Sequence, residues 1–144
     1  DRELNELTTW IAEELGPDVP LHFSAFHPSW KMMDYARTPL SKLRRARAIA
    51  LENGLRYVYT GNVHDLEGSS TYCHNCAEIL IGRDWYELSA WNLESADGAA
   101  ACKYCATKMA GVFEDQPGSW GSRRQPIRTL ETGGQTARVR KNSD

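Results

Sequence analysis

Hydrophobic positions divide this chain into stretches with different periods. Leu4, Leu7, Ile11 and Leu15 recur at spacings of three, four and four, which predicts one face of a helix ended by Gly16-Pro17. VPLHFSAFHP (19–28) has the alternation and aromatic content of a strand that stops at Pro28. SWKMMDYAR (29–37) has no period and reads as a loop. Thr38-Pro39 then predicts a helix start, with a hydroxyl as N-cap and proline where its missing N–H costs nothing. Leu40, Leu43, Ala46, Ile49 and Ala50 make its apolar stripe, Gly54 is its stop, and LRYVYTGNV (55–63) is a second strand.

Strand, loop, helix and strand form a βαβ unit, so the two strands should be parallel with a right-handed crossover. Parallel strands are normally buried on both faces, and two strands with two helices are too few to do that. Residues 1–65 are therefore expected to be the last units of an α/β barrel or sheet. The opening at Asp1, without methionine and already inside a helical pattern, agrees with a piece of something longer. Helical period disappears over 66–114, where EILIGRDWYELSAWNL has hairpin-like content. Its expected core is Ile79, Ile81, Trp85, Leu88, Trp91 and Phe113. Residues 115–144, rich in Gly, Ser, Arg and Pro, are expected to be an extended, partly disordered basic tail, with Trp120 and Ile127 able to pack on the body.

Composition adds limits. The 144 residues are 41% hydrophobic and 25% charged, as in a globular chain, and the net charge of −2 gives no field for nucleic acid. No apolar run approaches the roughly 18–20 residues of a membrane span, and the charged opening DRELNE is not a secretory signal. A cytoplasmic setting is expected, where thiols stay reduced and paired CxxC motifs more often hold metal than form disulfides.

All four cysteines fall in two such pairs, Cys73-x-x-Cys76 and Cys102-x-x-Cys105, with 25 residues between them. Each tight turn can aim two sulfurs at one ion, and two turns complete a tetrahedron. Zinc suits four thiolates, and iron would fill the same cage as a rubredoxin-type site. A full shell leaves no open position, so the site is expected to be structural. A small β region also needs such a staple, because it cannot bury enough area alone. A disulfide or redox-active CxxC is the less favoured reading, and His74 reads as a solvated surface residue. Ala77 and Ala106 stand where glycine often eases the turn after the second cysteine, which implies slight strain. From Thr71 to Phe113 five acidic residues face three basic ones, the wrong sign for gripping phosphates. The basic tail (Arg123, Arg124, Arg128, Arg138, Arg140, Lys141) reads as solvated.

In parallel α/β architectures chemistry collects at the carboxyl ends of strands. That points to Ser24, Phe26 and His27 after the first strand, and to Thr60, Asn62, His64 and Asp65 after the second. No Gly-rich phosphate loop, nucleophile elbow or paired-carboxylate motif appears.

The phrases LHFSAFHP, RARAIALENGLRYVYTGNVHD, STYCHNC, RDWYEL and CKYC together resemble the C-terminal portion of a known family. It is that of radical S-adenosylmethionine enzymes similar to pyruvate formate-lyase activating enzyme, of the AmmeMemoRadiSam-system type. The likeness runs from Asp1 to about Ile127. It implies that residues 1–65 are the last βα units of a partial TIM-like barrel and that 66–114 are an appended zinc-ribbon or rubredoxin-like knuckle. It also implies an enzyme that uses a [4Fe–4S] cluster to cleave S-adenosylmethionine reductively to a 5′-deoxyadenosyl radical. That radical abstracts hydrogen from a substrate, protein or small molecule, whose identity the likeness leaves open. The family holds its cluster with a CxxxCxxC motif that this sequence lacks, so the initiating chemistry is expected upstream and this chain alone is expected to be inactive. The residues matched toward the cofactor or substrate pocket are His27 and Asn62, with Ser24 and Thr60 beside them. The other reading of the residues is a stand-alone zinc-ribbon binding or regulatory module.

Overall fold

A computed structural model describes residues 1–118 and 121–123. The expectations for Trp120, Ile127 and most of the basic tail lie outside them. The fold is mixed α/β, built from one parallel strand pair, two small antiparallel sheets and the helices that cover the first.

The parallel pair is β1 (Leu21–Ser24) and β2 (Val58–Gly61), in register from Leu21 opposite Val58 to Ser24 opposite Gly61. Between them runs α2 (Leu40–Glu52), which buries Leu43, Ala46, Ile49 and Ala50. Gly54, at φ +92°, closes it as expected, while Leu55 N–H returns to Ala50 O at 3.1 Å. The start differs from the expectation. Pro39 takes the N-cap position, and the Thr38 hydroxyl instead accepts the Phe26 N–H at 3.0 Å. Thr38 thereby ties the end of the 27–37 loop back to the end of β1, since its own N–H also meets Phe26 O at 3.0 Å.

The first helix, α1 (Arg2–Trp10), continues through a wider π turn (Ile11–Leu15), where Gly16 N–H reaches back five residues to Ile11 O. Of the expected stripe only Ile11 is buried, beside Ala50, Leu55 and Val58, while Leu7 and Leu15 are exposed. The helix seats itself on α2 through a polar residue instead. Thr8 is fully buried; its hydroxyl donates to Leu4 O at 2.7 Å and accepts from Asn53 Nδ2 at 2.7 Å. Asn53→Ala is therefore expected to cost about 1 kcal/mol, the worth of one lost hydrogen bond, read as a lower midpoint in urea.

After α3 (Leu66–Ser69) the chain turns into the cysteine region. One sheet has the order β3 (Thr71–Tyr72), β4 (Ile79–Asp84), β5 (Glu87–Trp91); the other has β6 (Leu93–Ala96), β7 (Ala99–Cys102), β8 (Lys108–Met109). The β4–β5 hairpin is the one the pattern predicted. The β6–β7 hairpin closes on Asp97-Gly98, both at positive φ, a favoured two-residue turn. The core of this region is Tyr57, Cys73, Leu80, Ile81, Leu93, Ala100, Cys102 and Met109, with Trp91 and Phe113 packed against it. Leu80 and Ile81 are buried side by side because β4 is covered on both faces, which simple alternation does not anticipate. Trp85 and Leu88 were expected inside but are exposed near the hairpin tip.

The two halves of the chain share contacts. The Tyr57 hydroxyl accepts the Ala110 N–H at 3.1 Å, and the Tyr59 hydroxyl lies 2.9 Å from Thr71 Oγ1. No described helix is long and apolar enough to cross a membrane.

A candidate metal centre and the strand ends

The two CxxC turns fold alike. In the first, Cys73 N–H meets Glu78 O at 2.9 Å and Ala77 N–H meets Cys73 O at 2.9 Å; in the second, Cys102 N–H meets Thr107 O at 2.9 Å and Ala106 N–H meets Cys102 O at 2.8 Å. Ala77 and Ala106 both adopt left-handed φ, +60° and +56°, so each knuckle carries the strain inferred from the missing glycine. The reward is convergence. All four sulfurs lie within 4.8 Å of one another, with Cys73–Cys105 and Cys76–Cys102 at 3.6 Å. Metal–sulfur bonds of about 2.3 Å in a tetrahedron put the sulfurs about 3.8 Å apart, so the cage has the size that such an ion requires.

The electrostatics favour a cation as well. The Thr107 hydroxyl, 3.1 Å away, with the Thr107 amide and the Asn75 side chain, lowers the Cys105 thiol to about 5. At Cys76 the Glu78 amide favours the thiolate, but burial and the three neighbouring sulfurs outweigh it and push the thiol up to about 12. Four adjacent sulfurs cannot all hold negative charge without a counter-charge among them. A metal ion at the centre would supply it. Tyr104 N–H, 3.4 Å from Cys102 Sγ, adds a backbone donor. His74 is exposed and stands outside the cluster.

The strand ends lie at the other end of the molecule. His27 Nε2 is 2.7 Å from Asn62 O; a carbonyl only accepts, so this nitrogen is the donor. Asn62 Nδ2 in turn donates to Ala25 O at 3.3 Å. His27 and Asn62 thus clasp the two strand ends together, with Asn62 held at φ +58°. Ser24 is exposed on the face away from the helices, opposite Gly61, where a Cβ would come within 2.9 Å of its Oγ. The fold does not bring Thr60 to that face. It is buried on the helix side with Phe23, and its hydroxyl donates to Asp65 Oδ2 at 3.0 Å.

Pattern reading missed two arrangements here. Asp65 is buried and accepts from Arg44 at 2.8 and 3.3 Å as well as from Thr60. Burial alone would raise its carboxyl; hydrogen bonds from Arg44, Thr60 and the Gly68 amide, with the Arg44 charge, reverse this and hold it below the ordinary 3.8. Gly68 has no room for a side chain, because a Cβ would collide with Thr60 and Asp65. The second arrangement spans the two halves. His64 donates from Nε2 to Asp84 at 3.0 Å and stacks on Trp85, which holds φ +52° at the hairpin tip. Nothing in the local pattern around residue 64 names a partner twenty positions away.

No protein-family model matches this chain, and no solved structure does. It is similar to an uncharacterized protein of Methanocaldococcus jannaschii, 44% identical over 100 residues, which covers 69% of this chain and 29% of that protein. The chain thus spans less than a third of the length of the curated relative it matches.

Proposed function

We infer that this chain is the C-terminal part of a radical S-adenosylmethionine enzyme of the AmmeMemoRadiSam-system type, in which the four cysteines hold a structural zinc or iron ion. Residues 1–65 are then the last βα units of a partial TIM-like barrel. The observation that supports this most is the β1–β2 pair. It is parallel, packed by helices on one face, exposes His22 and Ser24 on the other, and has no third strand among the described residues. Parallel sheets seldom stop at two strands, and polar residues opposite the helices suit the inner wall of a barrel. The clasp of His27 and Asn62 gives that wall a polar rim at its carboxyl end.

The cysteines do not fit the family's [4Fe–4S] cluster. They form a closed shell from two CxxC pairs, not the CxxxCxxC triplet, so no step of S-adenosylmethionine cleavage is assigned to them. The test uses the full-length parent protein, reconstituted with iron and sulfide without oxygen and given dithionite and S-adenosylmethionine. Formation of 5′-deoxyadenosine is expected from the parent and not from this chain alone. A parent that assembles no cluster beyond the four-cysteine centre and forms no 5′-deoxyadenosine would overturn the reading.

A further inference from the structure

A cleft of about 700 Å³ opens between the C-terminal half of α2, the start of β2 and the first knuckle. Arg47 lines it, and the Arg47 side chain is only 14% exposed. A guanidinium has five N–H donors, and here one is used at short range: Nε donates to Val58 O at 3.0 Å. The plane lies 5.7 Å from the Tyr72 ring, and the nearest carboxylate, Glu67, is 3.8 Å away and itself 70% exposed. A cation this buried is costly unless an anion meets it closely. The contrast with Arg44 is direct. That side chain is 55% exposed and yet has Asp65 at 2.8 Å. The buried arginine has only this longer, solvent-exposed counter-ion, and it lines an open cleft whose other walls include Leu51, Leu55 and Ala77.

We propose that this cleft binds a carboxylate with an apolar body. The carboxylate takes the Arg47 fork as a paired acceptor, in competition with the looser Glu67 contact, and the apolar body lies along Leu51 and Ala77. Such a group can come from a free small acid or from the C-terminus of a peptide. Cys73 of the metal shell forms part of the cleft wall, but the site includes neither His27 nor Asn62 of the strand-end clasp, so it stands or falls apart from the radical-enzyme reading.

The experiment titrates the metal-loaded chain with hexanoate and, separately, with acetyl-Gly-Leu bearing a free carboxylate. Each is compared with its own amide, and binding is followed by the backbone amide shifts of Gly54 and Ala77. In at least one arm the carboxylate is expected to bind about tenfold more tightly than the amide, the order of one charge-assisted pair. Preference in the hexanoate arm assigns a free acid; preference confined to the peptide arm assigns a chain terminus. Arg47→Gln should abolish the preference, but it also removes the Val58 contact, so Glu67→Gln is the decisive variant. Removing that exposed competing carboxylate should tighten binding about threefold, a gain of the size expected for a weak, solvent-screened pair. No binding in either arm, equal affinity for acid and amide, or weaker binding in Glu67→Gln overturns the proposal.

Discussion

Cys102→Ser should abolish stoichiometric metal binding and unfold the cysteine region, the largest effect of any single substitution in this chain. Cys102 is fully buried, and its sulfur lies 3.6 Å from that of Cys76, so serine puts a poor ligand into a shell with no spare donor. Structural zinc contributes on the order of 10 kcal/mol to folding in small peptides at neutral pH. No core substitution in a region this small approaches that, since even large-to-small changes cost about 2–5 kcal/mol. Elemental analysis of the freshly reduced protein should give about one zinc or iron per wild-type chain, as the four-ligand count requires, and near zero for the variant. Near-UV circular dichroism should fall with it, because Trp91 and Phe113 pack on the core that Cys73 and Cys102 join. A variant that keeps both its metal and its signal would show that the shell is not these four residues.

Asp65→Ala is expected to destabilise the protein by about 2 kcal/mol, mainly by leaving the buried Thr60 hydroxyl and the Gly68 amide without their acceptor. The ion pair itself adds less, because Arg44 is half-exposed and solvent screens it. The pH dependence has a definite sign. The folded carboxyl is held below its ordinary 3.8, so its contribution is complete above that value. As acid is added the unfolded chain takes up the proton first, and the contribution is lost as pH falls from about 3.8 through the lower folded value. Urea midpoints measured from pH 7 down to pH 2 should therefore converge for wild type and Asp65→Asn at the acid end. Parallel curves across that range would mean that Asp65 does not titrate with folding.

Features carried by local spacing were legible in the sequence. The CxxC pairs, the α2 stripe with its Gly54 stop, and the β4–β5 hairpin each depend on neighbours within a few positions. What could not be read depends on residues far apart in the chain. Leu7 and Leu15 keep helical spacing, yet α1 meets α2 through Thr8 and Asn53, so the polar contact decides which face is buried. Leu80 escaped notice because a strand covered on both sides hides consecutive residues, whereas Trp85 and Leu88 sit where the hairpin leaves the body. Of the candidate site, the four sulfurs and the His27–Asn62 clasp came together, but Thr60 turned inward once Asp65 took its hydroxyl.

The β4–β5 hairpin has a consequence for how the two ends of the molecule are connected. One end lies beside the first knuckle, where Cys73 meets Glu78, the residue before β4; the other presents Asp84 to His64 beyond the carboxyl end of β2. Six strand residues span about 20 Å, and Arg83 pins the far end: its amide donates to Ser70 Oγ at 3.1 Å, its carbonyl accepts from Ser69 Oγ at 2.9 Å, and its guanidinium donates to Thr71 Oγ1 at 2.7 Å. The hairpin therefore works as a splint fastened at both ends. When the ion leaves, only the knuckle end loosens, while Arg83 keeps Asp84 within reach of His64. Loss of metal in this protein would then stay local, with an ordered imidazole marking the end that never felt it.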